Sequence, residues 1–161
     1  MTTLVPMTEA VFAAYVEESI HSYAEEKVVA RLWSPAESIE LSRKSFAELL
    51  PNGLATKDHY LFSIRDTTEA VTVGMLWIAA QERAGGRIAY IYDVSVRLEH
   101  QRKGYATRAF AALEEEVRRL GLSGIALNVF GHNAGAHSLY QKLGYRPTHI
   151  NMYKAIGPIV G

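Results

Sequence analysis

Seven consecutive residues, Gln101-Arg102-Lys103-Gly104-Tyr105-Ala106-Thr107, place two cations and a glycine directly ahead of an amphipathic run that ends at Leu120-Gly121. They begin five residues after Val96, the last residue of a run rich in aromatic and β-branched side chains. A strand, a basic glycine-containing loop and a helix in that order deliver free backbone N–H groups and the positive end of a helix dipole to one spot, which is what a pyrophosphate needs. Arg97, Arg102, Lys103 and Arg108 either add charge beside such phosphates or form a solvated basic loop. The loop lacks the Gly-Lys-Ser/Thr ending that a phosphate–magnesium site requires. His132, His137 and His149 match no ordinary ligand spacing and no carboxylate cluster accompanies them, so no metal is expected.

The whole-chain composition confines this chemistry to a local site. Seventeen basic and seventeen acidic side chains cancel, which gives no general argument for nucleic acid or for an anionic membrane surface as a partner. The absence of cysteine removes disulfide frameworks, thiolate metal sites and a cysteine nucleophile together. With 161 residues and 48% hydrophobic content the chain buries one sizeable core, so a single domain over 1–161 is expected. No basic leader with an apolar core opens it and no run reaches the length of a membrane span, so a cytoplasmic protein is the expectation.

Periodicity supplies the elements that must hold the loop. Leu4-Val5 before Pro6 suits a short edge strand, because proline lacks the donor that a central strand provides. Thr8 suits an N-cap, and Phe12, Val16, Ile20 and Tyr23 recur at helical spacing, predicting helix one over 8–24. The next stretch, 25–33, suits either a helix extension or a turn packed on the core. Ser34-Pro35-Ala36-Glu37 combines a hydroxyl cap, a proline at the first helical position and a glutamate three after the cap, predicting helix two over 35–50. Residues 59–65 and 71–79 read as a hairpin, and 87–96 as a third antiparallel strand. Ala109, Ala112, Leu113, Glu116, Val117 and Leu120 share one face of helix three. Residues 125–130 are a buried strand that lies parallel to 87–96 after the helical crossover. Helix four opens at Gly131-His132-Asn133 and closes at Gly144, and 145–154 read as a last strand. The order is therefore β-α-α-β-β-β-α-β-α-β, an α/β (α+β) chain with a mixed, largely antiparallel sheet.

The loop's Gln101-x-x-Gly104-x-Ala106 spacing resembles the acetyl-CoA signature of the GNAT superfamily of N-acetyltransferases, Gln/Arg-x-x-Gly-x-Gly/Ala. Asn133 at the start of helix four, Tyr140 seven residues on, and the Leu143-Gly144-Tyr145 exit fall at the spacing that superfamily shows, and the strand order matches over nearly the whole chain. Leu98, where many members have proline, and Ala106, where a second glycine is commoner, depart from the pattern. Alanine still allows close approach of backbone to phosphate.

The resemblance implies transfer of the acetyl group of acetyl-CoA to a primary amine by direct attack in a ternary complex. It makes Gln101, Arg102, Lys103, Gly104, Tyr105, Ala106, Thr107 and Asn133 cofactor-binding residues. It also implies that strand 87–96 splays from the following parallel strand to admit pantetheine, with Val94 and Val96 as backbone ligands and an N–H near Val94 polarising the thioester carbonyl. Tyr140, two turns into helix four, matches the superfamily tyrosine that protonates the departing thiolate. An ammonium must lose a proton before it can attack, and Asp93 is the nearest ionisable group on the key strand; it is either that base or a structural acceptor at a strand irregularity. Asn128 on the adjacent strand holds a water or the substrate. Tyr23 and Glu37, with His21, Glu25, Glu26 and Trp33, gather where substrate recognition falls, and aromatics with carboxylates suit a small-molecule or peptide amine. The same residues also suit a charged turn with its aromatics packed inward. A non-catalytic acyl-CoA-binding sensor is the alternative, since it would keep the loop without a leaving-group acid. The tail from Ile156 could pack on a second copy to give a homodimer.

Overall fold

The computed structural model describes residues 1–129 and 133–158. The first unit, Met1–Asn128, contains β1 (Thr2–Pro6), α1 (Glu9–Val29), α2 (Ser38–Leu49), β2 (His59–Asp66), β3 (Val71–Arg83), β4 (Gly86–Val96), α3 (Tyr105–Arg119) and β5 (Ile125–Ala126), with single 3-10 turns at Gly53–Ala55 and Leu98–His100. The strands lie in sequence order, β1 to β4 antiparallel and β5 parallel to β4. Pro6 sits on the β1 edge, where its missing N–H costs no ladder bond.

Register sorts the side chains into two layers, since residues paired across a ladder share a face. Leu61 and Trp77 point to one face, buried with Met7 and Leu50 and packed against Phe12, Tyr15 and Phe46 of the α1–α2 pair. On the other face lie Ile64, Leu76 and Ile78, each fully buried, with Ile91 of β4. There α3 contributes Ala109, Phe110, Leu113 and Val117. Gly74 of β3 faces Val96 of β4, and a Cβ there would stand 2.1 Å from the Ser95 carbonyl oxygen. Only glycine allows the two backbones this approach.

α1 runs to Val29, five residues beyond the predicted end. Thr8 caps it, accepting from the Val11 N–H at 3.3 Å, and no glycine or proline interrupts 25–29, so the helix continues until Arg31 turns to φ 60°. α2 starts at Ser38 rather than at Pro35. The serine-proline stretch is used in a turn, with Glu37 N–H bonded to the Ser34 carbonyl and Ser38 Oγ donating to the Pro35 carbonyl. Packing decides this start: Ser42 is fully buried and donates at 2.7 Å to the Ile20 carbonyl of α1. β5 is two residues long, shorter than the predicted 125–130, and Phe130 lies outside the described residues.

The second unit, from Val129, contains α4 (Ala134–Lys142). Asn133 Oδ1 caps it by accepting from the Ala136 N–H at 3.2 Å, and Gly144, at φ 93°, ends it. The last strand expected over 145–154 does not form. These residues are irregular, and Ile150, Met152 and Tyr153 stand exposed, because an extended segment becomes a strand only where a ladder partner meets its N–H and C=O groups.

Candidate active site

The basic loop is shaped by backbone conformations that its sequence partly announces. After β4, residues Leu98–His100 make one 3-10 turn, Gln101 is extended, Arg102 adopts φ 61° and Gly104 φ 82°, and α3 begins at Tyr105. No side chain caps α3, and Arg108 is the first residue whose N–H bonds back, to the Gly104 carbonyl at 3.1 Å. The N–H groups of Tyr105, Ala106 and Thr107 are therefore the first-turn donors that helix geometry leaves without an internal partner. They border a pocket of about 220 Å³ lined by Val96, His100, Gln101, Arg102 and residues 104–107. A side chain at Gly104 would collide with the residue that braces the loop, because its Cβ would lie 2.6 Å from an Arg108 guanidinium nitrogen.

Two of the loop's side chains face the protein rather than a ligand. Arg108 donates to Thr2 Oγ1 at 3.0 Å and to the Lys103 carbonyl at 3.0 Å, and its guanidinium lies 4.7 Å from the Tyr105 ring centre. The Tyr105 hydroxyl donates to Asp66 Oδ2 at 2.5 Å, and that bond holds the Asp66 carboxyl below its ordinary range. Both residues tie the loop to β1 and the β2–β3 turn. Gln101 Nε2 likewise spans the loop to the Val96 carbonyl at 2.9 Å.

β4 is paired on one side only along its second half. β5 meets it at Ala89 and Tyr90, and beyond Tyr90 no described residue continues that ladder. The Arg97 N–H bonds to the Val73 carbonyl at 2.7 Å, so alternation turns the N–H and C=O of Val96 and Val94 away from β3, towards the unpaired edge. Within this half the β3–β4 register slips: Trp77 pairs with Asp93 and Ile78 with Ile91, which leaves Tyr92 as an extra residue. Such a bulge puts two consecutive side chains on one face. Tyr92 and Asp93 therefore both project towards α1 and α2.

Asp93 is half-buried there, and its Oδ2 accepts a 2.7 Å hydrogen bond from the Tyr15 hydroxyl of α1. Burial pushes its carboxyl above the ordinary range, while the Tyr15 hydroxyl and the Val94 N–H pull against that rise. Burial, then the Asp93 charge, pushes the Tyr15 phenol up in turn. Beside them Tyr92 stacks on Trp77 at 4.7 Å and 21°, and His59 stacks on Tyr92 at 5.7 Å. The Trp77 indole N–H donates to His59 Nδ1 at 3.0 Å, which requires an unprotonated Nδ1. Burial moves the imidazole the same way, below its ordinary pKa.

A family model described as the Acetyltransferase (GNAT) family matches residues 26–145, three quarters of the chain. This chain belongs to the GNAT acetyltransferase family. It is 39% identical over 153 residues to the uncharacterized N-acetyltransferase YycN of Bacillus subtilis, covering 95% of this chain and 97% of that protein. A second N-acetyltransferase of that organism, YdgE, is 34% identical over 154 residues and is covered to 98%. The crystal structure of YycN matches with a TM-score of 0.85 at 37% identity, covering 98% of this chain and all of that one. An acetyl transferase from Pyrococcus furiosus matches with a TM-score of 0.70 at 26% identity over 97% of this chain. GNAT enzymes use acetyl-CoA as cosubstrate, and this GNAT chain is an acetyl-CoA-dependent acyltransferase. The uncapped α3 terminus, the glycine cradle and the 220 Å³ pocket fit a pyrophosphate.

The other residues singled out in the sequence are less uniform. Tyr23 and Trp33 do meet, edge to face at 5.6 Å, but the Lys27 ammonium already sits 5.2 Å from one ring centre and 5.6 Å from the other. Glu37 is exposed and stands at the α2 N-cap without a side-chain bond. Asn128 Nδ2 donates to the Tyr90 hydroxyl at 2.9 Å. Asn133 and Tyr140 belong to the second unit, where Tyr140 is half-buried with its ring 5.8 Å from that of Tyr145. Among the described residues no three histidine, aspartate, glutamate or cysteine side chains gather, and His132 lies outside them. No described helix is long and apolar enough to cross a membrane. Sequence reasoning missed Tyr15. It stands three residues after Phe12 and one before Val16, on the apolar stripe of α1, and that position was the available signal.

Proposed function

We propose that this chain transfers the acetyl group of acetyl-CoA to a primary amine by direct attack in a ternary complex. The observation that carries the reading is Asp93 on the bulge of β4, beside the stretch whose outer edge has no ladder partner among the described residues. Acetyl-CoA supplies an activated thioester. The 101–107 loop binds its pyrophosphate through backbone N–H groups, with Arg102 and Lys103 adding charge. The Val94 N–H, which the Asp93 carboxylate also draws on, is the backbone donor offered to the thioester oxygen as negative charge develops there. Asp93 accepts the proton that the ammonium must lose; as the C–N bond forms and the C–S bond breaks, Tyr140 gives a proton to the thiolate, and the second proton that the nitrogen sheds on becoming an amide restores the tyrosine through solvent. The Tyr140 assignment is supported by its place seven residues after Asn133 in a chain of this family.

Initial rates measured by thiol release over a grid of acetyl-CoA and amine concentrations test the reading. Intersecting double-reciprocal lines are expected. Parallel lines would replace the ternary complex with an acetyl-enzyme, and tight CoA binding with silence across an amine panel would replace catalysis with sensing.

A further inference from the structure

We infer that Tyr15 is a positioning residue for the reaction, holding the Asp93 carboxylate in place for the acceptor amine. The inference rests on the reading of Asp93 as the base. The 2.7 Å bond joins α1 to the bulge of β4 across 78 residues of sequence, so both ends are fixed by packed elements rather than by a flexible loop. A carboxylate carries about four lone-pair sites on its two oxygens, so one donated hydroxyl orients the group and leaves room for an ammonium.

The surroundings make that hydroxyl consequential. From β3, Trp77 stands opposite Asp93; from β2, His59 bonds to Trp77; and Tyr92 precedes Asp93 on β4. From α2, Phe46 lies against Trp77 at 6.0 Å between ring centres. The titratable groups gathered here are the Tyr15 and Tyr92 phenols and the His59 imidazole, and among the described residues no cation offsets the Asp93 charge. Burial favours the protonated acid, which cannot act as a base. Hydrogen bonds from the Tyr15 hydroxyl and the Val94 N–H favour the ionised form. Removing the phenol oxygen therefore leaves Asp93 protonated to a higher pH.

The test is the pH dependence of kcat/KM for the amine at saturating acetyl-CoA, measured on wild type, Tyr15→Phe and Asp93→Asn. In Asp93→Asn the limb set by the carboxylate should give way to a rise that follows the amine's own ionisation, and in Tyr15→Phe it should move to higher pH, with KM for acetyl-CoA unchanged in both. Replacing Tyr15 with 3-fluorotyrosine keeps the ring and strengthens the donor, so it should move the limb to lower pH and covers the case in which Tyr15→Phe folds poorly. A limb unmoved in either folded Tyr15 variant, while Asp93→Asn abolishes it, overturns the positioning role and leaves the base standing. A limb left at its wild-type position by Asp93→Asn removes the base, and the inference with it.

Discussion

The 101–107 loop and the surroundings of Asp93 lie at the two ends of one half-strand, yet they are built differently. Residues 101–107 form a contiguous segment whose donors are backbone N–H groups, so glycine placement and the start of α3 determine most of what it does. The Asp93 environment draws side chains from α1, β2, β3 and β4, none adjacent in sequence apart from Tyr92. A backbone site is written in one stretch. A side-chain site is written in the packing, and its members become neighbours only when the sheet and the helix pair close on each other.

The contrast is broken most severely by substitutions at the proposed proton-transfer residues. Asp93→Asn should lower turnover by about 10²–10⁴-fold while calorimetric CoA affinity stays near wild type. Tyr140→Phe, which keeps the ring and deletes only the donor, should lower turnover over the same range with little change in melting temperature. Normal turnover in Tyr140→Phe would return that tyrosine to a packing role.

Gly104→Val exchanges the pattern of effects. A β-branched residue at φ 82°, with Arg108 in the way of its Cβ, costs about 1–3 kcal/mol of local strain or displaces the loop. CoA should then bind about 10–100-fold more weakly, with turnover at saturation far less affected. Unchanged affinity in a titration would remove the loop from the site.

Legibility in the sequence follows the same division. The hairpin, β4, the loop and α3 were readable because each is a local pattern with its own punctuation. The start of α2 was not, because the Ser34-Pro35 cap signal is overridden by the need to bury Ser38 and Ser42 against α1. The strand over 145–154 was not, because β-propensity does not provide a ladder partner. Asp93 was singled out as the ionisable residue on that strand, and its neighbours were not, since strict alternation from Tyr92 turns Asp93 towards α3 and only the bulge returns it to Tyr15.

Smaller effects sharpen the boundary between the two regions. Gly74→Ala forces a Cβ against the β4 backbone and should cost about 1–3 kcal/mol, read as a lower denaturant midpoint. A wild-type midpoint would show that the strands can part there at no cost. The smallest effect belongs to His59, whose imidazole is held by burial below its ordinary pKa of 6.5. Between that value and its lower folded one, the unfolded chain binds a proton that the folded chain refuses. Its contribution is therefore complete above about pH 6.5 and is lost as pH falls below it. His59→Gln, which keeps an acceptor for the Trp77 N–H, should flatten that decline in stability between pH 7.5 and 5.5.

Gly74 also bears on how firmly the start of the loop is held. Val96, the last residue before the loop, rests on a glycine backbone rather than on a side chain, so its spacing from β3 is that of two main chains in contact. Substitutions among the buried aliphatic residues nearby change volumes and rotamers, but they do not act on that abutment directly. The interior can be repacked while the mouth of the loop keeps its reference point, because the contact at Gly74 is made by main chain alone.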